Sequence, residues 1–346
     1  VDYPKFLLKF CFQSLIWISV LFFFLWAAGA IYYLPWLPDW MRLPCCVAYV
    51  GGFSFWIWKS NRRNTTRSIL AGSILAVYLL TLLIRPSNDR NWADDQARVA
   101  SVEINDGAVT INNFRNFHYR TATDFDPIFE TRKFPLKDLD SVSLILQNFT
   151  PSEGLAHVML SFGVGSEAMD RELPQQQREY FCLSVEVRRE KGETYGPLKG
   201  VYRNYELTHV IGDERDLIGV RTVHRSDDRV WLYRLNATPQ QVQQLFIRFT
   251  DRINGLESAP EFYHTLLNNC ANGITRQTYE LTAEPINWLD PRIVLPGFSD
   301  QFAFENGLIE NPQNETFEQL KLSSRIDLRA RVSGITRDFS ADIRQQ

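Results

Sequence analysis

Hydrophobic and polar positions divide this chain at about residue 86. Before it, Phe, Leu, Ile, Trp and Val run almost unbroken; after it, charge interrupts the apolar residues every few positions. Phe6 to about Leu34 carries only Lys9, Gln13 and Ser14 as polar interruptions, enough length for a tilted crossing of a hydrocarbon core. No small-x-small cleavage pattern closes a short apolar core there, so the segment reads as a retained anchor. Leu43 to Trp58 and Ser68 to Ile84 are shorter and sit at the lower edge of spanning length, with a re-entrant second segment as the alternative. The expectation is a three-helix transmembrane module over residues 1–86, followed by one domain over residues 87–346.

In that domain the period changes to two. Arg98 to Asn113 alternates apolar and polar residues around Asn105-Asp106-Gly107, a hairpin signal. Ser141 to Gln147, His157 to Phe162, Tyr180 to Val187 and Val230 to Leu235 read as further strands. Thr238-Pro239 opens a helix running to about Asn254, with Thr238 as N-cap and Val242, Leu245, Phe246 and Phe249 as its apolar stripe. This pattern predicts an α+β class with an antiparallel sheet. From about Pro291 the chain mixes charges with short apolar runs and is expected to be a partly ordered C-terminal extension packed on the domain.

Charge gives the apolar segments a direction. Lys5 and Lys9 flank the first, and Lys59, Arg62, Arg63 and Arg67 fill the loop between the second and third. Positive loops stay in the cytoplasm, which predicts an extracytoplasmic domain after Ile84 and an aromatic outer loop from Tyr32 to Trp40. A formal net charge of -3 over 346 residues gives no global basic field and argues against a nucleic-acid partner. The five cysteines are Cys11, Cys45, Cys46, Cys182 and Cys270, three of them in apolar segments. They form neither a disulfide framework nor metal-type spacing, and no cofactor signature is present.

The candidate chemistry follows from strand parity. Val158, Leu160 and Phe162 share one face of their strand, leaving His157, Met159 and Ser161 on the other; the partner strand opposes Phe181, Leu183, Val185 and Val187 to Cys182, Ser184, Glu186 and Arg188. An antiparallel pair with Phe162 facing Phe181 puts His157 opposite Glu186, while a slip of two residues brings Ser184 or Arg188 there. Asn269 is an N-cap candidate for a helix from Ala271 to about Thr282. Cys270 would then stand at a helix start, where free N–H groups and the macrodipole favour a thiolate and could hold an oxyanion. Cys270, His157 and an orienting Glu186 or Ser184 make the cysteine version of a nucleophile–base–orienter set. Cys182 is the rival nucleophile and His264 the rival base. Arg188, Arg215 and Arg221 are candidates for holding a phosphate or carboxylate by bidentate contacts, with Asn269 beside them as a substrate-binding candidate.

Asn113-Phe114-Arg115-Asn116-Phe117-His118-Tyr119-Arg120, the stretch His157 to Gly163, Ser184 to Glu190, Glu214-Arg215-Asp216 and Phe262-Tyr263 through Asn269-Cys270 occur in an order that resembles the extracytoplasmic domain of Lnb-type bacterial lipoprotein N-acyltransferases, over roughly residues 92–280. Broader relatives would be the circularly permuted papain-like proteins, including NlpC/P60-type amidases, in which histidine precedes cysteine. The resemblance implies a permuted papain-like domain in the periplasm of a multi-pass inner-membrane protein. It further implies that Cys270 takes an acyl chain from a phospholipid as a thioester, with His157 as base, and passes it to the α-amino group of a diacylglyceryl-modified lipoprotein cysteine. No cofactor or metal is implied. The competing expectations are a cell-wall peptide amidase or cysteine peptidase, and a non-catalytic lipid- or lipoprotein-binding module.

Overall fold

A computed structural model describes residues 3–60, 63–165, 178–279, 287 and 290–345. The chain forms two compact units. One comprises residues 1–86 with 196–204, the other residues 87–195 with 205–346.

The first unit contains α1 (Tyr3–Tyr32), α2 (Asp39–Lys59) and α3 (Arg63–Leu82). Ala27, Ala30 and Val77 form its small buried core, while Leu8, Phe22, Leu25 and Leu79 on the outer faces stay exposed. An apolar face left uncovered along this length suits lipid rather than water. Two stretches, Phe10–Tyr32 and Thr65–Leu82, are long and apolar enough to cross a membrane. The middle helix, where the second span was expected with a re-entrant segment as the alternative, is not among the candidate crossings, and Asp39, Arg42, Pro44 and Lys59 lie within its bounds. The Tyr202 ring packs against Gly29, where a Cβ would come within 2.2 Å of its hydroxyl, and stacks on Tyr33 with centroids 5.2 Å apart.

The second unit is built on an eight-stranded, mostly antiparallel sheet. The predicted hairpin is β1 (Ser101–Asn105) and β2 (Ala108–Arg115), turned by Asp106 at φ 49° and Gly107 at φ 77°. Two consecutive left-handed residues give the turn that matches strand twist. A two-stranded ribbon, β3 (His118–Tyr119) with β4 (Phe125–Asp126), precedes β5 (Phe129–Pro135), β6 (Leu139–Asn148), β7 (His157–Val164) and β8 (Glu179–Arg188). β9 (Glu206–Asp213) and β10 (Arg229–Arg234) complete the sheet, whose order is β1-β2-β9-β8-β7-β6-β10, with β5 pairing with β2. The β2–β9 contact, Arg115 with Gly212, is parallel. Most of the connection expected between the His157 and Tyr180 strands, residues 166–177, lies outside the described residues.

Each face of the sheet has its own helical cover. After the short α4 (Glu214–Leu217), α5 (Pro239–Ser258) starts at a capping box between Thr238 and Gln241 and buries Val242, Leu245, Phe246, Phe249, Ile253 and Leu256. The apolar spacing is that of a helix stripe. Phe246 meets Phe162 and Phe181 edge-on, and those two rings stack at 5.5 Å. Such ring pairs add about 1 kcal/mol each beyond buried area. The α6 helix (Cys270–Thr278) joins this cover through Ala271 and Ile274; the end of the helix expected at about Thr282 lies outside the described residues.

On the opposite face, Ile145, Met159, Cys182 and Val210 pack with Leu217, Ile218, Ile326, Ala330, Phe339 and Ile343. The C-terminal extension packs on the domain, as expected, and does so through short helices. Residues 290–345 form α7 (Ser299–Glu305), α8 (Phe317–Ser323), α9 (Asp327–Ser333) and α10 (Phe339–Asp342), and they bury side chains in both cores. Arg344 donates to both oxygens of the buried Glu214 carboxylate, at 2.6 and 2.7 Å, and lies over the Tyr180 ring. A buried carboxylate needs such partners, because an unpaired one would cost several kcal/mol.

Candidate active site

The β7–β8 ladder has the register that ring matching predicts, Phe162 opposite Phe181 and Met159 opposite Ser184. His157 stands two residues beyond the last of these pairs, and its Nε2 comes within 3.2 Å of Glu186 Oε1. Ser184 lies between them. Its hydroxyl donates to Glu186 Oε1 at 2.8 Å, so its oxygen is left to accept from the His157 Nε2–H at 2.7 Å. Glu186 and Ser184 are therefore both partners of the imidazole rather than alternatives.

Cys270 is the first residue of α6 and is only 4% exposed. Asn269, extended at φ −114°, accepts from the Asn272 N–H through Oδ1 at 3.0 Å while its own N–H donates to Asn272 Oδ1 at 2.9 Å. The reciprocal cap fixes where the helix begins, and with it the position of Cys270. The amide Nδ2 of Asn269 donates to Thr265 O at 2.7 Å, and the residue is buried. Its side chain serves the helix start, where the sequence had suggested a substrate contact.

Burial alone would lower the basicity of His157. That burial effect is the largest single one, but the Glu186 charge, the charge and hydrogen bond of Cys270 and the hydrogen bond of Glu186 together exceed it and lift the imidazole to about 9. With Nε2 given to Ser184 and Glu186, Nδ1 remains for the thiol. Burial pushes the Glu186 carboxyl up, but His157, Arg221 and Ser184 hold it well below the ordinary carboxylate range. The arrangement favours a protonated imidazole beside an ionised Glu186.

Arg221 belongs to this assembly. It occupies a wide turn, Val220–His224, and donates to Glu186 Oε1 at 2.9 Å, Gln147 Oε1 at 2.7 Å and Leu217 O at 2.7 Å. Gln147 pairs with His157 across the β6–β7 ladder and donates to Asp228 Oδ2 at 2.5 Å. Arg188 lies elsewhere, buried over the Trp92 ring, its guanidinium spent on Gln96 O, Asn88 Oδ1 and Ala97 O. Arg215 turns back onto Asp213. The rival groups are also accounted for. Burial and the nearby Glu214 charge raise the Cys182 thiol well above its ordinary value, which disfavours a thiolate. His264 Nδ1 accepts from the N–H groups of Leu266 and Leu267 in a local turn.

Sequence reasoning missed Gln147, Asp228 and a tyrosine pair. The Tyr263 hydroxyl is hydrogen-bonded to Tyr195, and burial, then the neighbouring Cys270 and Tyr195, raise it far above the ordinary phenol range. Gln147 left one signal, a polar residue closing the apolar run Leu144-Ile145-Leu146. Among the described residues, no group of three or more His, Cys, Asp or Glu could hold a metal ion.

Residues 125–291 match the sequence model of the Lnb N-terminal periplasmic domain. Over this segment the chain is similar to that domain. The match starts later than the expected residue 92, leaving Asn113 to Arg120 upstream, and takes in His157, Ser184, Glu186, Arg221 and Cys270. The chain thus combines a segment similar to the Lnb N-terminal periplasmic domain with two helices long and apolar enough to cross a membrane. No curated protein and no solved structure matches the chain.

Proposed function

We propose that this protein is an Lnb-type, multi-pass inner-membrane acyltransferase that moves a fatty acyl chain from a phospholipid, through a thioester on Cys270, to the α-amino group of a diacylglyceryl-cysteine lipoprotein. The observation that carries the reading is the juxtaposition of a buried helix-start cysteine with a histidine held between it and an ionised Glu186. His157 takes the thiol proton, and the sulfur attacks the ester carbonyl carbon. The N–H groups of Cys270 and Ala271, at the first two helix positions, supply donors for the tetrahedral oxyanion. The C–O bond then breaks, and the leaving lysophospholipid oxygen takes the proton from His157.

In the second half the lipoprotein amine attacks the thioester carbonyl. His157 accepts the ammonium proton as the amide forms, the C–S bond breaks, and the proton returns to sulfur. The Ser184 hydroxyl and the Glu186 carboxylate keep the ring oriented through both halves. A small pocket whose lining includes Val158, Leu160, Ala271 and Ile274 lies against the Cys270 helix.

The test is detergent-purified protein incubated with phospholipid and a diacylglyceryl-cysteine peptide, read by mass spectrometry of the peptide. Conversion to the N-acylated peptide, lost in Cys270→Ala and His157→Ala, is the expected result. Cleavage of a peptidoglycan-type peptide with no acyl transfer would assign the same residues to an amidase. Inactivity on both substrates would leave a binding module.

A further inference from the structure

A buried arginine that touches a catalytic carboxylate can bind substrate or hold the carboxylate. The contacts of Arg221 decide between these. Nε, Nη1 and Nη2 each donate to a protein acceptor, respectively Gln147 Oε1, Leu217 O and Glu186 Oε1, and the residue is 8% exposed. A planar guanidinium committed on three sides presents no free fork to a phosphate. Gln147 is fixed in turn by Asp228, so a buried chain runs Glu186–Arg221–Gln147–Asp228.

The turn that carries Arg221 is tied down from a distant part of the sequence. Arg331, on α9, donates through Nε to Thr222 O at 3.0 Å and through Nη2 to Asp228 O at 2.9 Å. Its own guanidinium sits 3.4 Å from Asp327, a fully buried carboxylate that also accepts from the Val230 N–H. Arg331 thus grips the residue after Arg221 and the last residue of the buried chain. It lies outside the segment that matches the Lnb domain.

We propose that Arg221 is a positioning residue that holds Glu186 against Ser184 and His157, and that the C-terminal segment, through Arg331, sets the position of Arg221. This rests on the acyltransferase reading above. The segment from residue 290 onward is then a working part of the active domain, because it fixes the geometry of the imidazole's partner. Displacements of under an ångström at such a partner misalign proton transfer without touching substrate.

The experiment measures thioester formation on Cys270 against phospholipid concentration in full-length protein, for wild type, Arg221→Gln, Arg221→Lys and Arg331→Gln, with melting temperatures alongside. Arg221→Gln is expected to lower the saturating rate on the order of tenfold or more while the KM for phospholipid stays as in wild type. Arg221→Lys recovers part of the rate, and Arg331→Gln loses several-fold, again at unchanged KM. A raised KM at an unchanged saturating rate would make Arg221 a substrate ligand and overturn the proposal. A lower melting temperature with a wild-type rate in Arg331→Gln would overturn the role of the C-terminal segment. Alkylation of Cys270 by iodoacetate is run in parallel, since it reads the activated thiol without acyl chemistry. If wild type forms no thioester, the acyltransferase reading fails, and slower alkylation in both glutamine variants still decides the positioning claim.

Discussion

Replacing Glu186 by Gln keeps shape and hydrogen-bonding capacity while removing one charge beside His157. Raising the imidazole from 6.5 to about 9 corresponds to about 3 kcal/mol in favour of the imidazolium. Burial opposes this and exceeds any single favourable cause, so the four contributions of Glu186 and Cys270 together supply well over that figure, and the Glu186 charge is the largest of them. Its removal should therefore withdraw at least about 1 kcal/mol, which moves the imidazole down by most of a pH unit or more. The assay is the rate of Cys270 alkylation by iodoacetate across pH, followed by peptide mass spectrometry. An anionic reagent reacts fastest while an imidazolium stands beside the thiolate, so the rate falls as His157 loses its proton. In wild type this alkaline limb lies near the imidazole's value of about 9. In Glu186→Gln it should move down by most of a unit or more. An alkaline limb unchanged in Glu186→Gln would refute the claim that this carboxylate holds the imidazole charged.

Three further outcomes follow from buried charged and titratable groups of the same domain. His209 is buried, and burial followed by the Arg252 charge lowers it from 6.5 to about 3. A histidine kept neutral in the fold contributes stability above 6.5 that is lost as pH falls from there through about 3, so His209→Leu should flatten the acid decline of Tm. His157 has the opposite sign: its contribution is complete below 6.5 and disappears as pH rises through about 9, so the alkaline decline of Tm should be shallower in His157→Leu. Arg188→Met should lower Tm through loss of three charge-assisted bonds, with phospholipid KM and saturating rate unchanged. A raised KM there would return Arg188 to the substrate site.

The candidate site was legible where a local rule decided it. Two stacked phenylalanines fixed the β7–β8 register, and parity then carried His157 to Glu186 with nothing else required. The Asn269 cap and the α5 start were readable because capping is local to four residues. β9 escaped because Glu206–Asp213 is buried at every position, with Thr208 and His209 among its side chains, so it shows neither clean alternation nor an unbroken apolar run. The role of Arg221 escaped for a different reason. Its partners come from β6, β8 and the end of α4, and no periodicity in the sequence announces that two distant strands close around one guanidinium. The C-terminal helices were underrated for the same cause: each is short and contributes only a few side chains, which become a core only when the sheet is present beneath them.

The most direct test of the account is intact mass spectrometry of the detergent-purified protein after incubation with phospholipid, comparing wild type, Cys270→Ser and His157→Ala. The account predicts a fatty-acyl-sized adduct on Cys270 that hydroxylamine removes, absent from Cys270→Ser and much reduced in His157→Ala. A folded wild-type protein that retains bound phospholipid and forms no such adduct would contradict it.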